Sequence, residues 1–466
     1  MKVVIVGCTH AGTIAAAQIL KTHPQTEVTI YERNDDISFL SCGIYLYLGG
    51  KVKNLEDMFY SSPEELTRQG ANILTHHNVL SINTASKRLR AVDIKTGTVI
   101  DDSYDKLIMC TGSTAAVPPL SGIDESKVLL CKNYQQAQEI YETAQHNQRI
   151  AVIGAGYSGT EITESYAQTN HEVLLLTSGS QVMHHYIGPE ISAKVTELLE
   201  AHQVEIHLNQ RVSEFTSDEN GDLLIKTMSG ESFSADLAIV CTGFVPSTTL
   251  LRNQVQMDRH GALLTNKFMQ TSDPDIYAAG DSCAVRFNPT GRPAYTPLAT
   301  NAIRQAVLAA TNIFGNTMPY MGTQATSALQ LFDYSIATTG LTYKYALRNG
   351  FKAQQIIYED TWRPAYMPST DKIKIVLIYD QETRRILGCQ LISKHEIAQS
   401  ANTLSLAIQN DNTIDDLAYV DMLFQPNFDY PFNYLNLAAQ KAIDQEREAG
   451  RDNPRFTALG NDVPRP

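Results

Sequence analysis

The sequence has no CxxC pair, and its seven cysteines, Cys8, Cys42, Cys110, Cys131, Cys241, Cys283 and Cys389, are odd in number and scattered. That spacing excludes a disulfide framework and offers no zinc-binding pair. No apolar run approaches the roughly 18 residues of a membrane span, and MKVVIVG opens a strand where a secretory signal would carry a longer apolar stretch. A cytoplasmic protein with reduced thiols is expected, without a membrane partner. Positive charge is in deficit, with Lys plus Arg at 37 against 50 for Asp plus Glu and a formal net charge of −13. Such a balance disfavours a dedicated nucleic-acid binder. The histidines, including the pairs at 76–77 and 184–185, show no metal-ligand pattern, so no metal is expected. What is present is globular: 466 residues correspond to about three domains. With 43% hydrophobic and 19% charged residues, disorder is expected only in the charged, Pro-containing tail after about Asp444.

The chain opens with an apolar strand at 2–6, the turn GCTHAG, an Ala/Ile-rich helix to about Lys21, and a strand at 28–31 that ends in Glu32. In such a unit glycines let the backbone approach a pyrophosphate at a helix N-terminus, and an acid about 20 residues on accepts hydrogen bonds from a ribose. Gly7, Gly12 and Glu32 fill those roles, while Thr9 stands at the middle glycine's place. A second copy follows, with a strand at 149–153, GAGYSG, a helix to about Thr169 and a strand at 172–176. Gly154, Gly156 and Gly159 complete its fingerprint, which is specific because it lies between an expected strand and an expected helix. Three more apolar strands stop at glycine turns: YDKLIMCTGS at 104–113, ADLAIVCTGF at 235–244 and PDIYAAGDS at 274–282. Thr111 and Gly112, Gly243, and Asp281 thus fall at the carboxyl edge of doubly wound sheets, where nucleotides sit. The reading is α/β, with two Rossmann-like nucleotide-binding domains.

These residues, together with SFLSCGI at 38–44, resemble the flavoprotein disulfide reductase superfamily. His10 with a single Cys42 is similar to the branch holding NADH oxidases, NADH peroxidases and coenzyme A disulfide reductases. DDLAYVDMLFQPNFDYPFNYLN at 415–436 looks closest to the water-forming NADH oxidases of lactic acid bacteria. The resemblance implies an FAD domain at 1–113 and 244–321, an inserted NAD(P)H domain at 114–243, and an α+β dimerisation domain at 322–466. It places Ala299 with the FAD residues, and dioxygen or hydrogen peroxide as the electron acceptor. A coenzyme A disulfide reductase ranks third, and a non-catalytic redox sensor is the alternative of another class.

The chemistry can be followed from the residues. Cys42 has no second cysteine between Asp35 and Gly50, so the intrahelical disulfide of dithiol relatives cannot form. A solitary thiolate beside a flavin can instead cycle through sulfenic acid, the oxidation step that a reductant readily reverses. The other six cysteines are expected to be buried and inert. In this branch the matching His faces the cysteine, donates a proton or hydrogen bond to peroxide oxygen and steadies the thiolate. The aromatic cluster Phe424, Phe428, Phe432 and Tyr434 reads equally as an ordinary core or as the segment of a homodimer that reaches the partner's flavin. Family oxidases end the second strand of the nicotinamide unit in Asp, which binds the ribose of NADH and repels the extra phosphate of NADPH. Here Thr177 stands there, followed by SGSQVMHHY with no Arg or Lys. Ser178 and Ser180 offer hydroxyl donors, and His184 or His185 offers charge when protonated, so use of NADPH is expected alongside NADH.

Overall fold

Strand Lys2–Val6 is buried on both faces because it is the central strand of a parallel sheet, a position that calls for an uninterrupted apolar run. In the computed structural model, which describes residues 1–217, 221–451 and 453, that sheet runs Ile276–Ala278, Lys106–Met109, Lys2–Val6, Glu27–Tyr31, Asn72–Leu74. Helix His10–Thr22 follows the central strand, and its Ala11, Ala15, Ala16 and Ile19 share a core with Ala302, Ala306, Ala309 and Ala310 of helix Ala299–Asn312. Small side chains on both helices form this contact. A second parallel sheet repeats the plan, in the order Glu205–His207, Glu172–Leu176, Arg149–Ile153, Leu237–Val240, Val128–Leu130. Its central strand leads into helix Tyr157–Ala167.

The chain passes between these sheets twice, and the two passages pair with each other. Ser113–Ala115 and Phe244–Pro246 form an antiparallel ribbon, with Ala115 opposite Phe244. The Thr111 hydroxyl donates to Ser247 O at 2.5 Å and the Thr242 hydroxyl to Ala116 O at 2.6 Å, so each Thr-Gly stop is stitched to the opposite passage. Both Thr-Gly segments therefore serve the crossing as well as the sheet edge.

From Gln324 onward the chain belongs to a second compact unit, which also takes in 186–195 and 288–290. Its sheet is antiparallel, in the order Ser327–Leu331, Tyr334–Gly340, Ile386–Ser393, Lys372–Asp380, Ala353–Thr361. Helices Ala398–Gln409 and Tyr434–Glu448 supply Leu404, Ile408, Ala438 and Ala442 to its core. This is the expected α+β unit.

One expectation needs correction, and one that was left open is divided. The C-terminal helix runs through Asp444 to Glu448, and the buried Glu446 accepts from Tyr379 at 2.7 Å and from Arg451 at 2.6 Å, so order persists past the expected start of the tail. Residue 452 and residues 454–466 lie outside the described residues. The aromatic cluster also divides: Tyr434 is core and bonds the Ser400 hydroxyl at 2.5 Å, whereas Phe424, Phe428 and Phe432 are exposed. Among the described residues no helix is long and apolar enough to cross a membrane. No group of His, Cys, Asp and Glu among them is placed to hold a metal ion.

Candidate functional site

Both glycine turns are held by contacts that tolerate no side chain. A Cβ on Gly12 would lie 1.9 Å from Gly7 O, and one on Gly159 would lie 1.8 Å from Gly154 O. Gly7 and Gly154 have φ of +91° and +106° and press against Cys110 O and Cys241 O of the neighbouring strands. The helices that follow open at Thr9 and at Gly156 without a side-chain cap, so no cap side chain stands over their first turns. Helix Ala299–Asn312 opens in the same way at Leu298, which places Ala299 in an uncapped first turn. Close glycine backbone and uncapped amides fit two dinucleotide pyrophosphates.

Glu32 is 4% exposed, and its carboxylate accepts from Cys8 N at 2.7 Å and from Asn34 N at 2.9 Å. Burial pushes its pKa up, against the pull of those two amides. The acid expected to hold a ribose thus also fastens the glycine turn beside it. Glu32→Ala removes charge-assisted bonds worth about 1.5–3 kcal/mol each, so weaker flavin retention is expected. Flavin absorbance per protein after dialysis checks this, and unchanged content would refute the role.

Asp281 stands at the stop of strand Ile276–Ala278, where it accepts from Ser113 Oγ at 2.7 Å and from Lys132 Nζ at 3.3 Å. Lys132 also lies 3.9 Å over the Phe244 ring. One ammonium from the second sheet's edge is thereby fixed against the first sheet's carboxylate. Gly112 and Gly243, with φ of +63° and +105°, face open space at the same edges.

Among the seven cysteines only Cys42 is exposed; Cys8, Cys110, Cys131, Cys283 and Cys389 are buried, Cys241 is half-buried, and all are free thiols. Cys42 sits in the short turn Ser41–Gly43 that leads into helix Ile44–Leu48. The surrounding protein pushes its thiol up, Glu161 adds to that, and its own amide and Lys132 oppose it. His10 begins helix His10–Thr22, and its Nδ1 lies 2.9 Å from the Tyr60 hydroxyl. Its Nε2 is buried without a partner. Burial holds the imidazole below its ordinary pKa, with Asp281 pulling up and Lys132 pushing down.

At the end of strand Glu172–Leu176, Thr177 is buried, and its Oγ1 accepts from Gly179 N at 3.2 Å. Ser178 and Ser180 are exposed and His184 is half-buried. The His184 ring packs on the turn so closely that a Cβ on Gly179 would lie 2.3 Å from its Nδ1, and it lies 3.7 Å from the His185 ring. Thr177 therefore shapes the turn, while Ser178, Ser180 and His184 line its surface.

The sequence reading missed Tyr60, Lys132 and Glu161. Glu161, on helix Tyr157–Ala167, is pushed up to about 8 by burial and by nearby Glu164, itself fully buried and paired with Lys51 at 3.4 Å. Tyr60 and Lys132 carry no local mark because they meet partners distant in sequence, and Glu161 bears on Cys42 across the fold while being raised by Glu164 on its own helix.

A family model described as pyridine nucleotide-disulphide oxidoreductase matches residues 1–306, and the dimerisation domain of the same family matches 326–432. An NADH oxidase of Enterococcus faecalis is 47% identical over 444 residues, covering 95% of this chain and 100% of its own. The structure of a water-forming NADH oxidase from Lactobacillus brevis bound to NADH superposes with a TM-score of 0.95 at 51% identity, over 97% of this chain and 100% of that one. A variant of that oxidase, engineered by five substitutions as a water-forming NADPH oxidase and bound to NADPH, gives a TM-score of 0.95 at 50% identity over the same shares. Its substitutions replace one Asp by Ala and introduce two arginines.

Proposed function

The chain belongs to the pyridine nucleotide-disulphide oxidoreductase family, and from that premise we propose that it is an FAD-dependent NAD(P)H oxidase reducing dioxygen to water by four electrons. When bound, FAD would supply the two-electron chemistry between the nicotinamide and dioxygen. Gly7, Gly12, Glu32, Thr111, Gly112, Asp281 and the Ala299 turn hold FAD in this reading. Gly154, Gly156, Gly159, Gly243 and the turn from Thr177 to His184 hold the nicotinamide.

The observation that carries the reading is Cys42, the one exposed cysteine among seven free thiols. Its thiolate attacks one oxygen of hydrogen peroxide, so that an S–O bond forms and the O–O bond breaks. The sulfur is oxidised by two electrons to sulfenic acid, and the departing oxygen becomes water on gaining a proton. A second reduced nicotinamide returns two electrons to the sulfur and releases its oxygen as the second water. An oxygen electrode tests this with each nicotinamide, with and without catalase. Dioxygen consumption unaffected by catalase is expected. Consumption of added peroxide without consumption of dioxygen would make the protein a peroxidase, and consumption of neither would leave a sensor.

The exposed Phe424, Phe428 and Phe432 lie in the unit matched by the dimerisation-domain model, and a homodimer in the cytoplasm completes the proposal. For the nicotinamide, the engineered NADPH oxidase combined loss of an acid with gain of arginines. This chain has Thr177 without an added Arg or Lys, which supports acceptance of both nicotinamides.

A further inference from the structure

Three chain segments interlock around Cys42. The glycine turn that carries His10 accepts from Ser38 N at Cys8 O, 3.1 Å away. Ser38 Oγ donates to Ser61 O at 2.7 Å and accepts from Ser61 N at 2.9 Å. Phe39 and Phe59 form an antiparallel bridge with their rings 5.3 Å apart, and Leu40 N donates to Met58 O at 3.0 Å. Tyr60 is thus fixed in register with the segment that leads into Cys42. Its hydroxyl lies within electrostatic reach of both Cys42 and Cys8 and bonds His10 Nδ1 at 2.9 Å. The protein around its ring and the nearby Cys8 and Cys42 thiols hold that phenol protonated throughout the physiological range.

The His10–Tyr60 bond has two forms. If Nδ1 carries the proton, Nε2 is a bare acceptor; if Tyr60 donates, Nε2 carries the proton. Nε2 is buried and without a partner in the chain, so it awaits a group that the chain itself does not supply. Extending the peroxide-reducing role of Cys42 proposed above, we infer that Tyr60 is a positioning residue that donates to His10 Nδ1 and fixes the Nε2–H tautomer, the form that can protonate the hydroxide leaving Cys42-bound peroxide. As the O–O bond breaks, hydroxide takes the Nε2 proton while the Tyr60 proton passes to Nδ1. A phenol is an intrinsically stronger acid than water, which favours the transfer. Tyr60 is 43% exposed and recovers its proton from solvent. The sum is thiolate, peroxide and one solvent proton giving sulfenic acid and water. The charged and titratable groups facing His10 are Asp281, Lys132 and Tyr60.

The test follows Cys42 itself. Purified flavin-containing protein is reduced, exposed to hydrogen peroxide, and its sulfenic acid trapped with dimedone over time. Tyr60→Phe is expected to slow Cys42 oxidation about tenfold and to alter its pH profile, with flavin content unchanged. His10→Ala is expected to slow it at least as much, and His10→Ala with Tyr60→Phe no further, because Tyr60 acts through His10. Nitrogen-15 NMR of labelled histidine is expected to show the Nε2–H form in the parent and a mixture in Tyr60→Phe. Equal oxidation rates, multiplying effects in the double variant, or an Nδ1–H tautomer in the parent would overturn the inference. If instead Cys42→Ser still yields only water, it is the peroxide reading at turnover that fails, a result separate from these rates.

Discussion

Cys42→Ser is expected to keep its flavin and to go on oxidising NAD(P)H while releasing hydrogen peroxide as its final product. In the parent enzyme two nicotinamides are expected to be consumed for each dioxygen, with no oxygen returned by catalase. In the variant the ratio falls to one, and catalase returns half of the oxygen consumed. The difference is chemical: a sulfur thiolate can be oxidised to sulfenic acid and reduced again, whereas a serine hydroxyl has no equivalent oxidation state. The substitution is isosteric in outline and falls on the one exposed cysteine, so the expected cost to stability is small. Peroxide measured per nicotinamide consumed decides the matter. A variant that still makes only water would remove Cys42 from the peroxide-reducing step.

The elements legible in the sequence are those with a local signal. Strands Arg149–Ile153 and Glu172–Leu176 follow from continuous apolar runs stopped by glycine or by a turn, and both parallel sheets follow from the repeat of that pattern. The antiparallel sheet of His77–Asn83, Arg88–Asp93 and Val99–Ser103 was not legible. Arg88–Asp93 alternates buried Leu89 and Ala91 with exposed arginines over only a few residues, and His77–Asn83 and Val99–Ser103 are largely polar, so nothing sustained separates them from loop. At the candidate site, Cys42 and His10 were visible through their motifs, but their surroundings were not. Tyr60 meets His10 across 50 positions and Lys132 meets Asp281 across 149, and only the folded chain brings such pairs together. The aromatic segment was undecidable for a different reason. Phe424, Phe428 and Phe432 have the same apolar character whether they cover their own core or a partner's. Glu32 and Thr177 read correctly as strand-end positions, yet their bonds to the turns beside them are invisible without coordinates.

NADPH is expected to be used with a kcat/KM at least comparable to that for NADH, and the reason lies in what the nicotinamide turn no longer repels. Thr177 is neutral and buried, with its Oγ1 taken by the Gly179 amide, so no carboxylate faces a ribose phosphate from this position. Removing repulsion is half of a change in specificity, and attraction must come from elsewhere. Exposed Ser178 and Ser180 present hydroxyl donors at the turn, and the His184 ring packed on Gly179 brings a group whose ordinary titration lies in the physiological range. If that imidazole contributes charge, the NADPH to NADH ratio rises as pH falls from about 8 to about 6. Thr177→Asp tests the repulsive half directly, because an aspartate oxygen can accept from the Gly179 amide as the threonine hydroxyl does, leaving the turn intact. The restored carboxylate is expected to repel the extra phosphate by about 3 kcal/mol, lowering kcat/KM for NADPH roughly a hundredfold with NADH turnover retained. Steady-state oxygen consumption with each nicotinamide measures both enzymes. A parent enzyme that prefers NADH a hundredfold at both ends of that pH range would show that the remaining contacts select NADH without an acid at Thr177.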